Sequence, residues 1–180
     1  MPTAAVIGGG VIGSAWASRF LLYGWDVRFY DPAANAEQML LAVLSKARRW
    51  VPQIVETLPA EGSLTICTEL ADAVASADWV QESTPERIEV KHAVLRQIQA
   101  ACKQAAIVGS STSGFMPSEL QEGSDRPEQI LVAHPYNPVY LLPVVEVVAS
   151  PRVPVEGVDR AEQILTNIGM KPIILKSAIP

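Results

Sequence analysis

This chain has few cysteines, and its sequence contains no cysteine motif with the spacing of a metal site. Its two cysteines, Cys67 and Cys102, lie far apart and match none of the short spacings used for zinc, iron–sulfur or redox sites. We therefore expect no metal cofactor. We also expect the two thiols to be reduced, partly buried and without a chemical role.

The chain also lacks an excess of positive charge and any long hydrophobic run. Its formal net charge is −5 and its isoelectric point is near 5.0, which argues against nucleic acid or an anionic membrane as the main partner. No apolar run reaches the length of a membrane span, and the first residues do not resemble a signal peptide. These absences predict a cytoplasmic protein that does not bind membranes.

Apolar residues, in contrast, are plentiful and charged residues are few. They make up 49% and 18% of the chain, as expected for an α/β fold whose sheet is covered on both faces. The 180 residues suit one domain with a sizeable core.

A glycine-rich turn follows the first apolar segment of the chain. Gly8, Gly10 and Gly13 occupy the G-x-G-x-x-G positions, and the helical pattern that follows ends at Gly24. In a dinucleotide site, these glycines allow a tight turn, close backbone approach to a pyrophosphate, and packing of the helix on the strand. The free N–H groups at the start of the helix, at Val11 and Ile12, would bind the phosphates. Such turns also occur for packing reasons alone.

A second strand pattern, at residues 26–30, is followed directly by Asp31. This acid strengthens the interpretation of the glycine turn as a dinucleotide site. An acid in this position accepts the 2′-hydroxyl of the adenosine ribose in NAD-binding proteins. Arg28 is the one nearby cation, and strand alternation places it on the opposite face, so the pattern favours NAD over NADP. The alternative is that Asp31 is a turn residue ahead of Pro32.

Strand and helix patterns alternate through the rest of the chain. They predict a Rossmann-type, doubly wound, mostly parallel sheet with helices on both faces, and we expect the last two strands to pair antiparallel. We expect a helix near residues 35–57, and another that begins near Ser83 with Pro85 in its first turn. Polar groups follow four strands, at residues 8–13, 82–86, 110–113 and 134–137, and should meet at the carboxyl edge of the sheet. The serine run at 110–113 has the alternative of being only a loop and helix cap.

His134 is one of two histidines, and it lies between Ala133 and Pro135 with Glu146 twelve residues later. An imidazole titrates near neutrality, so it can take a proton from an alcohol and return it. A carboxylate on its other ring nitrogen would fix the tautomer and stabilise the imidazolium. The alternative is a core histidine near a strand end.

Four segments together resemble the 3-hydroxyacyl-CoA dehydrogenase superfamily, and within it most resemble the carnitine-type enzymes. These segments are the glycine turn and residues 81–87, 110–114 and 134–148. The resemblance implies that His134 is the general base and Glu146 its partner. It further implies that Ser113 and Asn137 line the site beside the nicotinamide and the reacting oxygen, and that Glu86 and Lys91 contact the nicotinamide half of the cofactor.

The resemblance also implies a reaction and an assembly. The reaction is NAD-dependent oxidation of a 3-hydroxy acid, with L-carnitine favoured and 3-hydroxyacyl-CoA or L-gulonate as alternatives. Lys46, Arg48 and Arg49 are the only clustered candidates for a clamp on CoA phosphates. A non-catalytic NAD-binding module is an alternative of a different class, which would need neither His134 nor Glu146; a flavin or nucleotide-sugar enzyme would leave the serine and histidine motifs idle.

In this family, a helical C-terminal domain completes the substrate pocket and forms a homodimer. Residues 1–180 resemble only the NAD-binding domain, so we expect this chain to fold, to hold NAD and to turn substrate over poorly. The surface that packs against the helical domain should be exposed and apolar, so self-association is expected.

Overall fold

An eight-stranded sheet runs through the protein in the computed structural model, which describes residues 1–175. The strands are β1 (Thr3–Ile7), β2 (Asp26–Tyr30), β3 (Leu64–Ile66), β4 (Trp79–Glu82), β5 (Ile107–Ser110), β6 (Ile130–Pro135), β7 (Val144–Val148) and β8 (Lys171–Leu175). The α-helices are α1 (Val11–Leu22), α2 (Ala36–Trp50), α3 (Leu70–Val74), α4 (Ile88–Ala101), α5 (Pro117–Leu120) and α6 (Val155–Asn167). Short 3-10 turns cover Val51–Gln53 and Pro127–Gln129.

The strand order is β3-β2-β1-β4-β5-β6-β7-β8, which confirms the Rossmann-type fold. All neighbouring pairs are parallel except β6 and β7. The expectation that the last two strands pair antiparallel was therefore wrong, because β7 and β8 are joined through α6, a crossover that returns the chain in the same direction. The connection between β6 and β7 is too short for a crossover, so that pair forms the hairpin.

Side chains alternate along each strand between two cores, one on each face of the sheet. In β1, Ala4 and Val6 pack on the face covered by α1, α2 and α6, whereas Ala5 and Ile7 pack on the face covered by α3, α4 and α5. This alternation follows from the two-residue period of a strand, and it explains why β4 and β5, which have helices on both faces of the sheet, are buried at every position.

Helix α1 is buried on nearly every side, between the sheet and α2. Trp16, Phe20 and Leu21 are fully buried, and burial of such large side chains contributes about 1.5–3 kcal/mol each. The helix stops at Tyr23, and Gly24 follows with a φ of 81°, as the glycine at this position predicts.

Two helix boundaries differ from expectation. Helix α2 ends at Trp50, ahead of Pro52. Helix α4 begins at Ile88 rather than near Ser83, because the Glu82 carboxylate accepts hydrogen bonds from both the N–H and the hydroxyl of Thr84, each at 2.7 Å. These bonds hold residues 83–87 as a loop at the sheet edge. Within residues 1–175, no helix combines the length and apolarity needed to cross a membrane.

Candidate active site

Strands β2 and β3 lie on one side of β1, and β4 to β8 lie on the other, so the strand order changes direction between β1 and β4. A cleft opens at this point, at the carboxyl ends of the two strands. The cleft encloses a cavity of about 680 Å³, within the usual size range of ligand pockets. The glycine turn after β1 forms one wall, and the loop after β4, with Ser83 and Thr84, forms the other. Parallel strands of this topology place their ligand at this switch point.

The three motif glycines are required for different reasons. Gly8 has a φ of 102°, and a Cβ there would lie 2.5 Å from the carbonyl oxygen of Ser83. A Cβ on Gly13 would lie 1.8 Å from the carbonyl oxygen of Gly8. A Cβ on Gly10 would meet no heavy atom within 4 Å. Gly8 and Gly13 are therefore needed by the fold itself, whereas Gly10 leaves open space in front of the turn.

Helix α1 starts directly behind that space. Gly10 is its N-cap residue and offers no side chain to the helix end, so the first-turn N–H groups of Val11, Ile12 and Gly13 are available to a ligand. The positive end of the helix dipole lies in the same place. This arrangement fits the pyrophosphate of a dinucleotide.

Asp31 lies at the end of β2, beside the glycine turn. Its Oδ2 accepts the N–H of Gly9 at 2.5 Å, and its Oδ1 accepts the N–H of Ala33 at 2.7 Å. Each oxygen keeps a lone pair for a ribose hydroxyl. Arg28 points away and donates to the carbonyl oxygen of Asp72 at 3.0 Å. Among the residues that the structure describes, no lysine or arginine lines the cavity beside this fixed carboxylate, which fits NAD.

An apolar wall completes the cleft, and motif analysis did not find it. Its side chains come from three different helices, α2, α3 and α4, and share only their position on the cavity: Met39, Leu70, Val90 and Val94. A flat aromatic ring fits such a surface. Only the fold brings these residues together, because they are spread over more than fifty positions of the sequence.

A buried ion pair lies beneath the loop after β4, which forms one wall of the cleft. Glu82, at the end of β4, and Lys91, on α4, are 0% and 1% exposed, and the Lys91 Nζ lies 3.0 Å from the Glu82 Oε1. Ser110 also donates to Glu82, and the Lys91 Nζ lies 3.3 Å from the Glu86 Oε2. Lys91 therefore lies behind Glu86, and Glu86 is the more exposed of the two. Glu82 belongs to the polar group expected at residues 82–86, but its pairing with Lys91 was not predicted from the sequence.

Glu86 connects this ion pair to the turn at residues 110–114 after β5, here called the serine turn. Its Oε1 accepts the Thr112 hydroxyl at 2.5 Å and the backbone N–H groups of Ser113 and Gly114 at 3.0 and 3.1 Å. Burial raises the pKa of Glu86, but these hydrogen bonds and the charge of Lys91 outweigh that effect and hold the pKa below its ordinary value. The turn is therefore fixed by an ionised carboxylate.

The β6–β7 hairpin brings His134 and Glu146 together. They are directly opposed cross-strand partners, and the His134 Nδ1 lies 2.9 Å from the Glu146 Oε2. A carboxylate can only accept at this position, so Nδ1 donates, and no group within residues 1–175 hydrogen-bonds to Nε2. The side chains are 33% and 29% exposed, and they line a cavity of about 160 Å³ together with Ser113. The structure therefore joins three of the four residues proposed for catalysis.

The fourth residue, Asn137, is exposed on the hairpin loop and does not line that cavity. Arg19, on α1, holds the same loop. It is 2% exposed and donates to the carbonyl oxygens of Val139, Tyr140, Ile168 and Gly169 at 2.8–3.3 Å. Desolvation by burial lowers the pKa of this guanidinium, with the charge of Tyr23 opposing it. Arg19 was not predicted as a functional residue, although it is the one charged residue of the apolar helix α1.

Comparison with known proteins places this geometry in context. Residues 3–178 match the family described as 3-hydroxyacyl-CoA dehydrogenase, NAD binding domain. A relative from Ruegeria pomeroyi, named L-carnitine dehydrogenase/betainyl-CoA thioesterase, is 53% identical over 180 residues, which cover 99% of this chain and 37% of the relative. The L-carnitine dehydrogenase of Mesorhizobium japonicum is 47% identical over 178 residues, which cover 98% of this chain and 49% of the relative.

A solved structure with a closely similar fold is also a dehydrogenase. It is described as FHMPC 5-dehydrogenase, an NAD⁺-dependent dismutase, and matches with a TM-score of 0.93 and 31% identity over 100% of this chain and 59% of that chain. This chain spans less than half the length of either curated relative.

Proposed function

The chain belongs to the 3-hydroxyacyl-CoA dehydrogenase family, and we propose that it carries the NAD-binding and proton-transfer half of an L-carnitine 3-dehydrogenase. NAD is its cofactor, and a small molecule is its substrate. The proposed reaction converts the secondary alcohol of L-carnitine into the ketone of 3-dehydrocarnitine. The observation that carries the proposal is the His134–Glu146 pair, which lies beside Ser113 at the sheet edge that also holds the glycine turn.

Proton transfer is the role we propose for His134. Its Nδ1–H donates to Glu146, so Nε2 carries the lone pair that accepts the hydroxyl proton. The imidazolium that forms is stabilised by the same carboxylate, and in the reverse direction it returns the proton to the alkoxide. Bound NAD supplies the hydride acceptor.

Ser113 and Glu86 hold the other side of the reacting centre in this proposal. The Glu86 carboxylate fixes the backbone of Ser113, whose exposed hydroxyl lines the cavity with His134. It can donate a hydrogen bond to the substrate oxygen or to the nicotinamide carboxamide. We assign Lys91 to holding Glu86, because its ammonium is buried between two carboxylates. We keep Asn137 as a proposed site residue, because it lies three positions after His134 in the same loop.

Two observations favour L-carnitine over an acyl-CoA as the substrate. The curated relatives are named for L-carnitine, and two of the three cations that could bind CoA phosphates are already engaged with neighbouring side chains. Arg48 is bonded to Glu61 at 2.6 Å, and the Arg49 guanidinium stacks on Trp50 at 5.0 Å from the ring centroid. Two of the three clustered cations are thus engaged with their own surface. The family description still makes 3-hydroxyacyl-CoA the second candidate substrate.

Substrate-dependent NADH absorbance tests the proposal. The assay uses this chain alone and a chimera in which the part of the Ruegeria pomeroyi relative beyond the match follows this chain. L-Carnitine, 3-hydroxybutyryl-CoA and L-gulonate are compared. We expect the chimera to oxidise L-carnitine with a kcat/KM at least about tenfold above the other two, and this chain alone to bind NAD with little turnover.

Other outcomes would identify the alternatives. A preference for the CoA ester or for gulonate would replace carnitine as the substrate. NAD binding without turnover of any of the three by the chimera would favour the non-catalytic module. Robust carnitine oxidation by this chain alone would show that residues 1–180 contain the whole substrate site.

We also propose that the whole protein is a homodimer. Exposed apolar side chains on the β7–β8 side of the sheet, including Leu142, Ile173 and Ile174, support self-association. Light scattering of the chimera and of this chain tests it, and a monomeric chimera would contradict it. The cytoplasmic location stays a prediction from composition.

A further inference from the structure

Glu146 has a second partner that the proposed mechanism does not use. Its Oε2 contacts His134, whereas its Oε1 accepts a hydrogen bond from the Tyr136 hydroxyl at 3.3 Å. The Tyr136 ring is 46% exposed, and its centroid lies 6.2 Å from that of the imidazole. The two oxygens of one carboxylate are thus held by two different side chains.

The hairpin geometry brings these three residues together. His134 and Tyr136 are two positions apart, and the Tyr136 N–H still donates to the Val144 carbonyl at 3.2 Å, which continues the strand pairing beyond Pro135. Residues two apart on a paired segment share one face of the sheet. Tyr136 therefore stands beside His134 and reaches across to the same glutamate.

We propose that Tyr136 is a positioning residue for the His134–Glu146 pair. Its hydroxyl binds Oε1 and draws negative charge towards that oxygen, away from the Oε2 that faces Nδ1. The inference rests on the proposed function, in which His134 is the base. Tyr136 acts on that base only through Glu146.

Other charged groups around the pair come from three neighbouring elements. Lys171, on β8, lies on the same face of the sheet as Glu146, because Val144 pairs with Lys171 and Glu146 pairs with Ile173. Glu86 lies behind the Thr112–Gly114 turn on the opposite side of the cavity, with Lys91 buried behind it. The substitution of Tyr136 changes none of these charges, so its effect on the pair can be measured against a constant background.

Replacement of Tyr136 by phenylalanine removes the hydroxyl and leaves the ring. The carboxylate then concentrates its charge on the oxygen that faces His134, which favours the protonated imidazole. We expect the titration midpoint of His134 to rise by about half a pH unit, the scale of one exposed hydrogen bond. The acid limb of the pH–rate profile of the chimera should move to higher pH by the same amount, since oxidation requires the neutral imidazole.

NMR titration of the imidazole Cε1–H signals makes this measurable in the chain itself. The sequence has only two histidines, so two signals are expected, and His92→Gln assigns them. Tyr140→Phe is the matched control, because it removes a phenol from the same loop without touching Glu146. A double-mutant cycle with Glu146→Gln is the second control: Tyr136→Phe should shift the midpoint only when the glutamate is present.

A Tyr136→Phe variant that binds NAD normally and leaves the His134 midpoint unchanged would overturn the inference. So would an equal shift in Tyr140→Phe, or a shift that survives in the Glu146→Gln background. The proposed function fails by a different result, namely near-normal turnover by a His134→Ala chimera. The two failures are therefore distinguishable.

Discussion

The cofactor cleft and the β6–β7 hairpin lie at the same edge of the sheet but are built differently. In the cleft, the groups proposed to bind the cofactor belong to the backbone, and close packing fixes them: Gly8 and Gly13 have no room for a side chain. In the hairpin, the groups proposed for the chemistry are side chains, and His134 and Glu146 are each about a third exposed. The cleft is thus shaped by tightly packed backbone, whereas the hairpin carries its polar side chains on an open surface.

The strongest test of this contrast is to remove the proposed base. His134→Ala in the chimera should lower turnover about 100- to 10,000-fold, the usual scale for loss of a general base, while NAD affinity stays nearly unchanged. His92→Ala is the matched control, because His92 contacts the carbonyl oxygen of Glu119 and does not line the site cavity. Steady-state kinetics and calorimetry measure the two effects. A parallel loss of NAD affinity would mean that hairpin and cleft are not separable.

Two glycines sharpen the contrast within the cleft. Gly13→Ala should destabilise the fold by about 3 kcal/mol, because its methyl group would overlap the Gly8 carbonyl. Gly10→Ala should leave thermal stability nearly unchanged and weaken NAD binding about tenfold or more, since its methyl group enters the space proposed for the pyrophosphate. Thermal unfolding and calorimetry separate the two. Equal stability loss in both variants would show that Gly10 is also a packing residue.

Cofactor choice should depend on one carboxylate of the cleft. Asp31→Ala should narrow the preference for NAD over NADP by about tenfold, because it removes both a ribose acceptor and a charge that repels a 2′-phosphate. Asp31→Asn, which keeps an acceptor without the charge, separates these two contributions. Calorimetry with both dinucleotides gives the affinities. Equal affinity of the unsubstituted chain for NAD and NADP would remove Asp31 from this role.

The smallest expected effect concerns Glu86, which joins the two regions through the serine turn. Its pKa is below the ordinary value of 4.5, so its contribution to stability is present above that pH and is lost as the pH falls through the lowered pKa. Glu86→Gln should therefore cost on the order of 0.5 kcal/mol near neutral pH, a value kept small by solvent screening of this half-exposed group. The difference should vanish in acid.

Urea unfolding at several pH values measures this effect. Glu122→Gln makes the same charge change at an exposed position and serves as the control. A stability loss in Glu86→Gln that is independent of pH would show that the ionised carboxylate does not hold the turn.

The sequence predicted the fold class and the cofactor turn because their determinants are local. Strand alternation, the glycine spacing and the acid at the end of β2 each follow from a few neighbouring residues. The same reasoning placed the α4 start too early, since a proline after a hydroxyl residue usually begins a helix, whereas Glu82 captures Thr84 here. It also misjudged which terminal strands are antiparallel, because pairing between strands depends on the path of the connecting chain.

By itself, then, the sequence determined which residues could carry the chemistry: His134 and Glu146, the serine turn, and the glycines with Asp31. Only the tertiary structure decided which of them meet. It set His134 opposite Glu146 by the hairpin register and placed Lys91 behind Glu86 rather than in the open cleft. It also gave Arg19 its four carbonyl partners. The physical reason is that burial and long-range pairing depend on the packing of distant segments, whereas spacing motifs report only on residues close in the chain.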